Sequence, residues 1–296
     1  MDVYLNGRMV SYEKARISVG DAGFQHSVGL FETMAAYHGK PFRLEAHLNR
    51  LASSAAVLGL IRSLDLQELA QAVQRTLKHN YFTEARIRLT LTAGEILLLE
   101  RQDPKRPTVL VVATQPTRYD PADFERGITV MVGPAAASPF DPLAGHKTLA
   151  YWSRLRTVRQ AAAVNAGEVI WLNVTNHLAS GAVSNLFLVK DSQLFTPFAR
   201  GEEVDGALPA PVLRGITREA VIEIAESLHL PIQRRMLGVS DLLEADEVFL
   251  TNSSWHLLPV SHVEKQPIGT GRAGPISTRL RQALLELIQT ETRGSA

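Results

Sequence analysis

The apolar residues of this chain change period along its length, and that change restricts it to folds that mix helices with strands. Leu44, Leu48, Leu51, Ala55 and Leu58 recur at spacings of 4, 3, 4 and 3. This is one apolar helical stripe and predicts a helix over 41–58. Leu66, Leu69, Val73 and Leu77 predict a second helix at 66–78. Arg86-Ile87-Arg88-Leu89-Thr90-Leu91-Thr92 then alternates with period two. That is a half-buried strand with Arg86 and Arg88 on one face and Ile87 and Leu89 on the other. Val3-Tyr4-Leu5 runs into the hairpin signal Asn6-Gly7. Further strands are expected at 109–112, 128–132, 168–174 and 184–190, and further helices at 148–165, 217–229 and 276–290. Strand and helix do not alternate regularly, so the expected class is α+β and not a doubly wound parallel sheet. At about 150 residues per domain, 296 residues suit two domains. The Pro-rich, polar stretch after residue 114 sets the expected boundary: a smaller domain over 1–115, a linker over 116–120 and a larger domain over 121–296.

Composition removes several classes of function. With 31 basic and 30 acidic residues the net charge is +1, so no large field recruits nucleic acid or an anionic membrane. The absence of cysteine excludes disulfides, thiolate metal sites and cysteine nucleophiles. The nine histidines include no metal-like pair on one helix face, so no metal is expected. The opening Met-Asp-Val-Tyr-Leu-Asn-Gly does not read as a signal peptide, and the longest uncharged run, 169–189, is too polar for a membrane span. A cytoplasmic protein is the expectation. Dinucleotide, Walker, His-Glu-x-x-His and Gly-x-Ser-x-Gly motifs are absent. The basic runs Arg101–Arg106 and Arg154–Arg159 read as solvated faces.

Of the seven lysines, Lys147 stands apart: it follows a Pro/Gly loop and opens the apolar, aromatic stretch Lys147-Thr148-Leu149-Ala150-Tyr151-Trp152. Desolvation turns a lysine into a nucleophile. The other reading is a helix-start lysine with its head in water. Gly215-Ile216-Thr217-Arg218 before a helix suits a phosphate, or is an ordinary threonine cap. Thr251-Asn252-Ser253-Ser254 follows the strand-like Glu247-Val248-Phe249-Leu250. Its hydroxyls offer a phosphate site or a simple polar turn.

These pieces occur together, and in one order, in a known family. The motifs are Asn6-Gly7, Asp21-Ala22-Gly23-Phe24, Phe31-Glu32-Thr33, the run Phe42 to Leu51, His146-Lys147-Thr148, Ser184-Asn185-Leu186-Phe187, Gly215-Ile216-Thr217-Arg218 and Val248 to Ser253. Across nearly its whole length the chain resembles the fold-type IV (class IV) pyridoxal-phosphate aminotransferases. That family includes branched-chain and D-amino acid aminotransferases and aminodeoxychorismate lyase. The resemblance implies the two-domain α+β fold of D-amino acid aminotransferases, with the cofactor between the domains, and a homodimer. It implies that Lys147, in the larger domain, forms the imine with pyridoxal 5'-phosphate and shuttles the proton. Arg50, Ile216, Thr217 and Ser253 are then phosphate ligands, Tyr151 lines the phenolic edge, and Asn185 lies near the cofactor. Phe31 and Arg88 match substrate-pocket positions, with His26 and Ser254 at the pocket border. The implied partners are an amino donor and a 2-oxo acid acceptor.

One departure matters. The family's glutamate for the pyridine nitrogen stands about 33 residues after the lysine, where this chain has Ser180. A carboxylate keeps that nitrogen protonated and the ring an electron sink, which a hydroxyl cannot do. Three readings follow: an aminotransferase with an atypical Ser180, a 4-amino-4-deoxychorismate lyase-type enzyme, or a weakly active cofactor-binding homologue.

Overall fold

A computed structural model describes residues 1–61, 63–95 and 106–293, so the basic run at 101–106 lies outside the described residues except for Arg106. The chain divides into two units.

The first unit takes in Met1–Thr117, His146–Ala150 and the chain from Ile288. Its strands are β1 (Asp2–Leu5), β2 (Arg8–Ser11), β3 (Gly29–Tyr37), β4 (Lys40–Pro41), β5 (Ala85–Thr92) and β6 (Thr108–Thr114). They form an antiparallel sheet in the order β2-β1-β6-β5-β3-β4. Its helices are α1 (Ala22–His26), α2 (Leu44–Val57) and α3 (Leu66–His79). Leu30, Met34, Ile87, Leu89, Leu91 and Val111 share one sheet face and bury against Leu48, Leu51, Ala55, Leu69, Val73 and Leu77 of the helices. This is the helical stripe meeting the period-two strand. α2 starts at Leu44, later than the stripe predicts, because Arg43 has φ 52, a left-handed conformation that a helix does not include.

β4 pairs only with Ala36 and Tyr37 at the far end of β3. The near end of that edge is taken by 147–149. Phe31 N–H donates to the Lys147 carbonyl at 2.9 Å, Leu149 N–H donates to the Gly29 carbonyl at 2.9 Å, and Leu30 bridges Thr148. The approach is close enough to need glycine at 29, where an added Cβ would lie 2.6 Å from the Leu91 carbonyl oxygen and 2.7 Å from Leu149 Cδ1. Two expectations change in consequence. The helix expected from 148 begins only at Trp152, and Lys147, expected in the larger domain, belongs with the first unit.

The second unit takes in Arg118–Gly145 and Tyr151–Leu287. Its strands are β7 (Ile128–Ala137), β8 (Glu168–Asn173), β9 (Leu178–Gly181), β10 (Asn185–Lys190), β11 (Gln193–Thr196), β12 (Ile232–Arg234), β13 (Glu247–Asn252), β14 (His256–Val263) and β15 (Gln266–Pro267). The sheet order is β12-β11-β10-β13-β14-β7-β8-β9, with β15 on β14. The helices are α4 (Pro121–Arg126), α5 (Trp152–Ala163), α6 (Ile216–Ser227), α7 (Val239–Leu243) and α8 (Pro275–Thr292). Leu186, Leu188, Val248, Leu250, Leu258 and Val260 lie in its core. The sequence reading has no strand at β14 because Pro259 lies inside it, opposite Phe249, and proline cannot donate to a ladder. Among the described residues no helix is long and apolar enough to cross a membrane.

Candidate active site

Alternation along β3 sends Leu30, Glu32 and Met34 to the helix-covered face and Phe31, Thr33 and Ala35 to the other. Glu32, only 1% exposed, therefore sits in the core and needs partners. α2 supplies them. Arg50 donates through Nε to Oε1 at 2.9 Å and through Nη2 to Oε2 at 2.5 Å, and His47 Nδ1 lies 2.7 Å from Oε2. Burial pushes the Glu32 carboxyl up. The Arg50 charge and the two sets of hydrogen bonds outweigh it and bring the pKa down to about 2. Burial holds His47 below its ordinary value, against the bond and charge of Glu32. His47 is then neutral near pH 7 and donates from Nδ1. The bonds to Glu32 fix the orientation of Arg50, a feature the sequence reading missed. The available signal is an acid at a core position of β3, with His47 and Arg50 three residues apart beside the helical stripe.

On the other face, Lys147 Nζ lies 4.7 Å from the centre of the Phe31 ring, and Arg88 Cζ lies 3.8 Å from it. Two basic side chains thus stand against the Phe31 ring, with Lys147 held by the backbone bonds that pin its segment to β3. His26 is exposed at the last turn of α1.

In the second unit, Tyr151 is the residue before α5, and the Arg154 guanidinium lies 6.0 Å from its ring. Arg154 also donates to the carbonyls of Gly181 and Ala182 and stacks over Trp171 at 4.7 Å. Ser180 is buried in β9 opposite Trp171 of β8. The acid nearest this turn is Glu168, whose oxygens accept from the N–H groups of Val169 at 2.9 Å and Val183 at 3.1 Å and from the Ser184 hydroxyl at 2.9 Å. Burial pushes its carboxyl up while these donors pull it down. Its lone pairs are committed to the turn that carries Ser184 and Asn185. Asn252 joins the same turn through Nδ2 to the Val183 carbonyl at 3.3 Å, and its Oδ1 accepts from the N–H groups of Ser254 and Trp255. Ser253 and Ser254 are half-buried in this bend.

Asn185 donates to the Leu213 carbonyl at 2.8 Å, and its Oδ1 stands 2.0 Å from where a Cβ on Gly215 would fall. Only glycine fits there, and it forms the N-cap of α6 without any side-chain cap. Thr217 is therefore inside the first turn and is not the cap. The N–H groups of Ile216 and Thr217 belong to the amides a helix start leaves unbonded. Thr251, opposite Asn185 in the sheet, has a buried Oγ1 with no hydrogen-bond partner among the described residues. Uncapped amides behind a close-packed glycine and, opposite Asn185 in the sheet, an orphaned buried hydroxyl fit a bound phosphate. Arg218 of the same motif turns away. It is fully buried and paired with Glu202 and Glu219, each at 2.7 Å.

Residues 29–263 match the family described as amino-transferase class IV. The chain belongs to that family. This class IV aminotransferase is 32% identical over 298 residues to the branched-chain-amino-acid aminotransferase of Escherichia coli (strain K12), covering 98% of this chain and 94% of that one. Its fold matches the T.th. branched-chain amino acid aminotransferase solved with pyridoxamine 5'-phosphate. The TM-score there is 0.89 at 28% identity, over 99% of this chain and 95% of the other. It also matches the 4-amino-4-deoxychorismate lyase of Pseudomonas aeruginosa, with a TM-score of 0.82 at 26% identity, over 96% and 98% of the two chains.

Proposed function

We propose that this class IV aminotransferase moves an amino group between an amino acid or amine and a 2-oxo acid, with pyridoxal 5'-phosphate as cofactor and Lys147 as the residue that holds it covalently. The observation that carries the reading is Lys147, set by backbone pairing against β3 with Nζ over the Phe31 ring. When bound, the cofactor supplies an aldehyde that condenses with amines and a ring that draws electron density from the substrate Cα.

The roles of the chain's own groups follow from their chemistry. Lys147 Nζ would hold the cofactor covalently and, when free, would move the proton to and from the substrate Cα. Arg50 offers the phosphate a guanidinium already oriented by Glu32. The N–H groups of Ile216 and Thr217 and the hydroxyl of Ser253 are the phosphate donors that the second unit offers, and Asn185 keeps the turn before α6 in shape. Tyr151 supports the phenolic edge. Phe31 and Arg88 contact the substrate, with His26 and Ser254 at the border of the pocket. Ser180 gives the ring nitrogen a hydroxyl in place of a carboxylate. Losing a charge-assisted hydrogen bond there costs about 1.5–3 kcal/mol, or one to two orders of magnitude in rate. The working form is a homodimer.

The test is an absorbance titration of cofactor-loaded protein with a panel of L- and D-amino acids and simple amines. Conversion of the cofactor to pyridoxamine phosphate, with one equivalent of 2-oxo acid released, is expected. Pyruvate release from aminodeoxychorismate with the cofactor unconverted would replace this reading with the lyase.

A further inference from the structure

Ser180 is only 4% exposed, yet among the described residues its hydroxyl makes no hydrogen bond. A buried hydroxyl in that position is costly unless a group from outside pairs with it. The nearest cation is Arg154 of α5. Its Nη1 donates to the carbonyls of Gly181 at 3.3 Å and Ala182 at 2.8 Å, the two residues that follow Ser180. The guanidinium also lies 4.7 Å from the ring of Trp171, which pairs with Ser180 across β8 and β9. Arg154 is half-buried, and among the described residues it makes no ion pair. Its surroundings do not neutralise it. α5, β7 and β9 contain no acidic residue, and the one charged residue of β10 is Lys190. The Tyr151 ring stands 6.0 Å from the guanidinium, and His177, just before β9, is turned to Thr175. β8 contributes Glu168, fully buried, whose oxygens accept from Val169, Val183 and Ser184. Position 180 thus offers a hydroxyl with a cation beside it.

We propose that Arg154 is a positioning residue for the pyridine nitrogen of the cofactor: it holds the strand end at Ser180 by the carbonyls of Gly181 and Ala182 and, through its charge, keeps the nitrogen unprotonated and accepting from the Ser180 hydroxyl. This rests on the reading that sets the nitrogen at Ser180. Protonation would turn an acceptor into a donor and place a second positive charge near the guanidinium. At an effective dielectric constant of about 20, a unit charge within about 10 Å moves a pKa by about one unit.

Nitrogen-15 NMR of the protein loaded with ring-labelled cofactor reads the protonation directly. The wild-type nitrogen should be unprotonated at pH 7 and should titrate about one pKa unit below that of the same cofactor condensed with hexylamine in water. Arg154→Gln should raise its pKa by about one unit, while Arg154→Lys, which keeps the charge, should stay near wild type. A wild-type value at or above that of the hexylamine adduct overturns the proposal, as does an Arg154→Gln value equal to wild type. The wild-type comparison decides alone if Arg154→Gln fails to fold. Ser180→Glu separates the proposal from the reading beneath it. A signal left unmoved by that change, in both shift and pKa, removes the placement of the nitrogen at residue 180 and the proposal with it. A nitrogen that becomes protonated in Ser180→Glu while Arg154→Gln changes nothing removes the role of Arg154 and keeps the placement.

Discussion

Replacing Glu32 with glutamine tests the buried anchor of Arg50. The side chains are nearly the same size, so the change removes charge and acceptor capacity without making a cavity. In the wild type one carboxylate receives Arg50 Nε at 2.9 Å, Arg50 Nη2 at 2.5 Å and His47 Nδ1 at 2.7 Å. Glutamine offers one acceptor oxygen and turns an NH2 toward the remaining donor, while the Arg50 charge loses its counter-ion. The fall of the Glu32 pKa from 4.5 to about 2, at about 1.36 kcal/mol per pKa unit, is worth about 3 kcal/mol. That matches the about 3–5 kcal/mol seen when one partner of a buried ion pair is removed. The folded-state value is depressed, so this stability is fully present above pH about 5 and is lost as the pH falls toward about 2. Urea denaturation of the two cofactor-free proteins should give a gap of about 3 kcal/mol at pH 7 that narrows steadily below pH 5. A gap under about 1 kcal/mol at pH 7, or one that does not change with pH, would refute the reasoning. The same variant should release pyridoxal phosphate more readily, because Arg50 is no longer held in one orientation.

Other expectations concern single groups. Lys147→Ala should leave no cofactor mass attached to the protein after borohydride treatment, read by intact mass spectrometry; attachment elsewhere would reassign the lysine. Ser180→Glu restores a carboxylate for the ring nitrogen and should raise the transamination rate by about 10- to 100-fold, measured by single-turnover absorbance; a slower enzyme would place residue 180 away from that nitrogen. Thr251→Val removes a buried hydroxyl that has no partner among the described residues. The cofactor-free protein should gain about 1–2 kcal/mol in urea denaturation while the dissociation constant for pyridoxal phosphate rises. A destabilised cofactor-free protein with unchanged cofactor affinity would mean the hydroxyl already has a structural partner.

What the sequence conveys here depends on whether a feature is periodic or local. The stripe through Leu44 to Leu58 and the alternation through Arg86 to Thr92 appear as α2 and β5, since each is decided by which face meets the core. The chemistry-bearing motifs are legible as contiguous residues, yet their supports are not. Glu32 and Arg50 are 18 positions apart, and their pairing depends on α2 crossing the sheet. Glu168 and Ser184 meet only because β9 runs antiparallel along β8, so that the turn after β9 returns to the start of β8. The segment 147–149 reads as a helix start by composition. Its backbone is instead recruited by the open half of the β3 edge, a tertiary demand that outweighs the local preference of three residues.

That edge also explains how one strand serves two purposes. Phe31 and Glu32 are adjacent, and alternation sends one to the cationic face with Lys147 and Arg88 and the other to the core with Arg50 and His47. A slip of one residue in the pairing of β3 with β5 would exchange them. It would bury an aromatic ring against the α2 donors and place a carboxylate beside Lys147 and the two arginines. Register is therefore part of the chemistry. It is held by eight consecutive β3–β5 pairs from Gly29↔Thr92 to Ala36↔Ala85. The glycine at position 29 lies close to both the Leu91 carbonyl of β5 and Leu149, so one residue serves both the paired edge of the strand and the edge that seats the Lys147 segment.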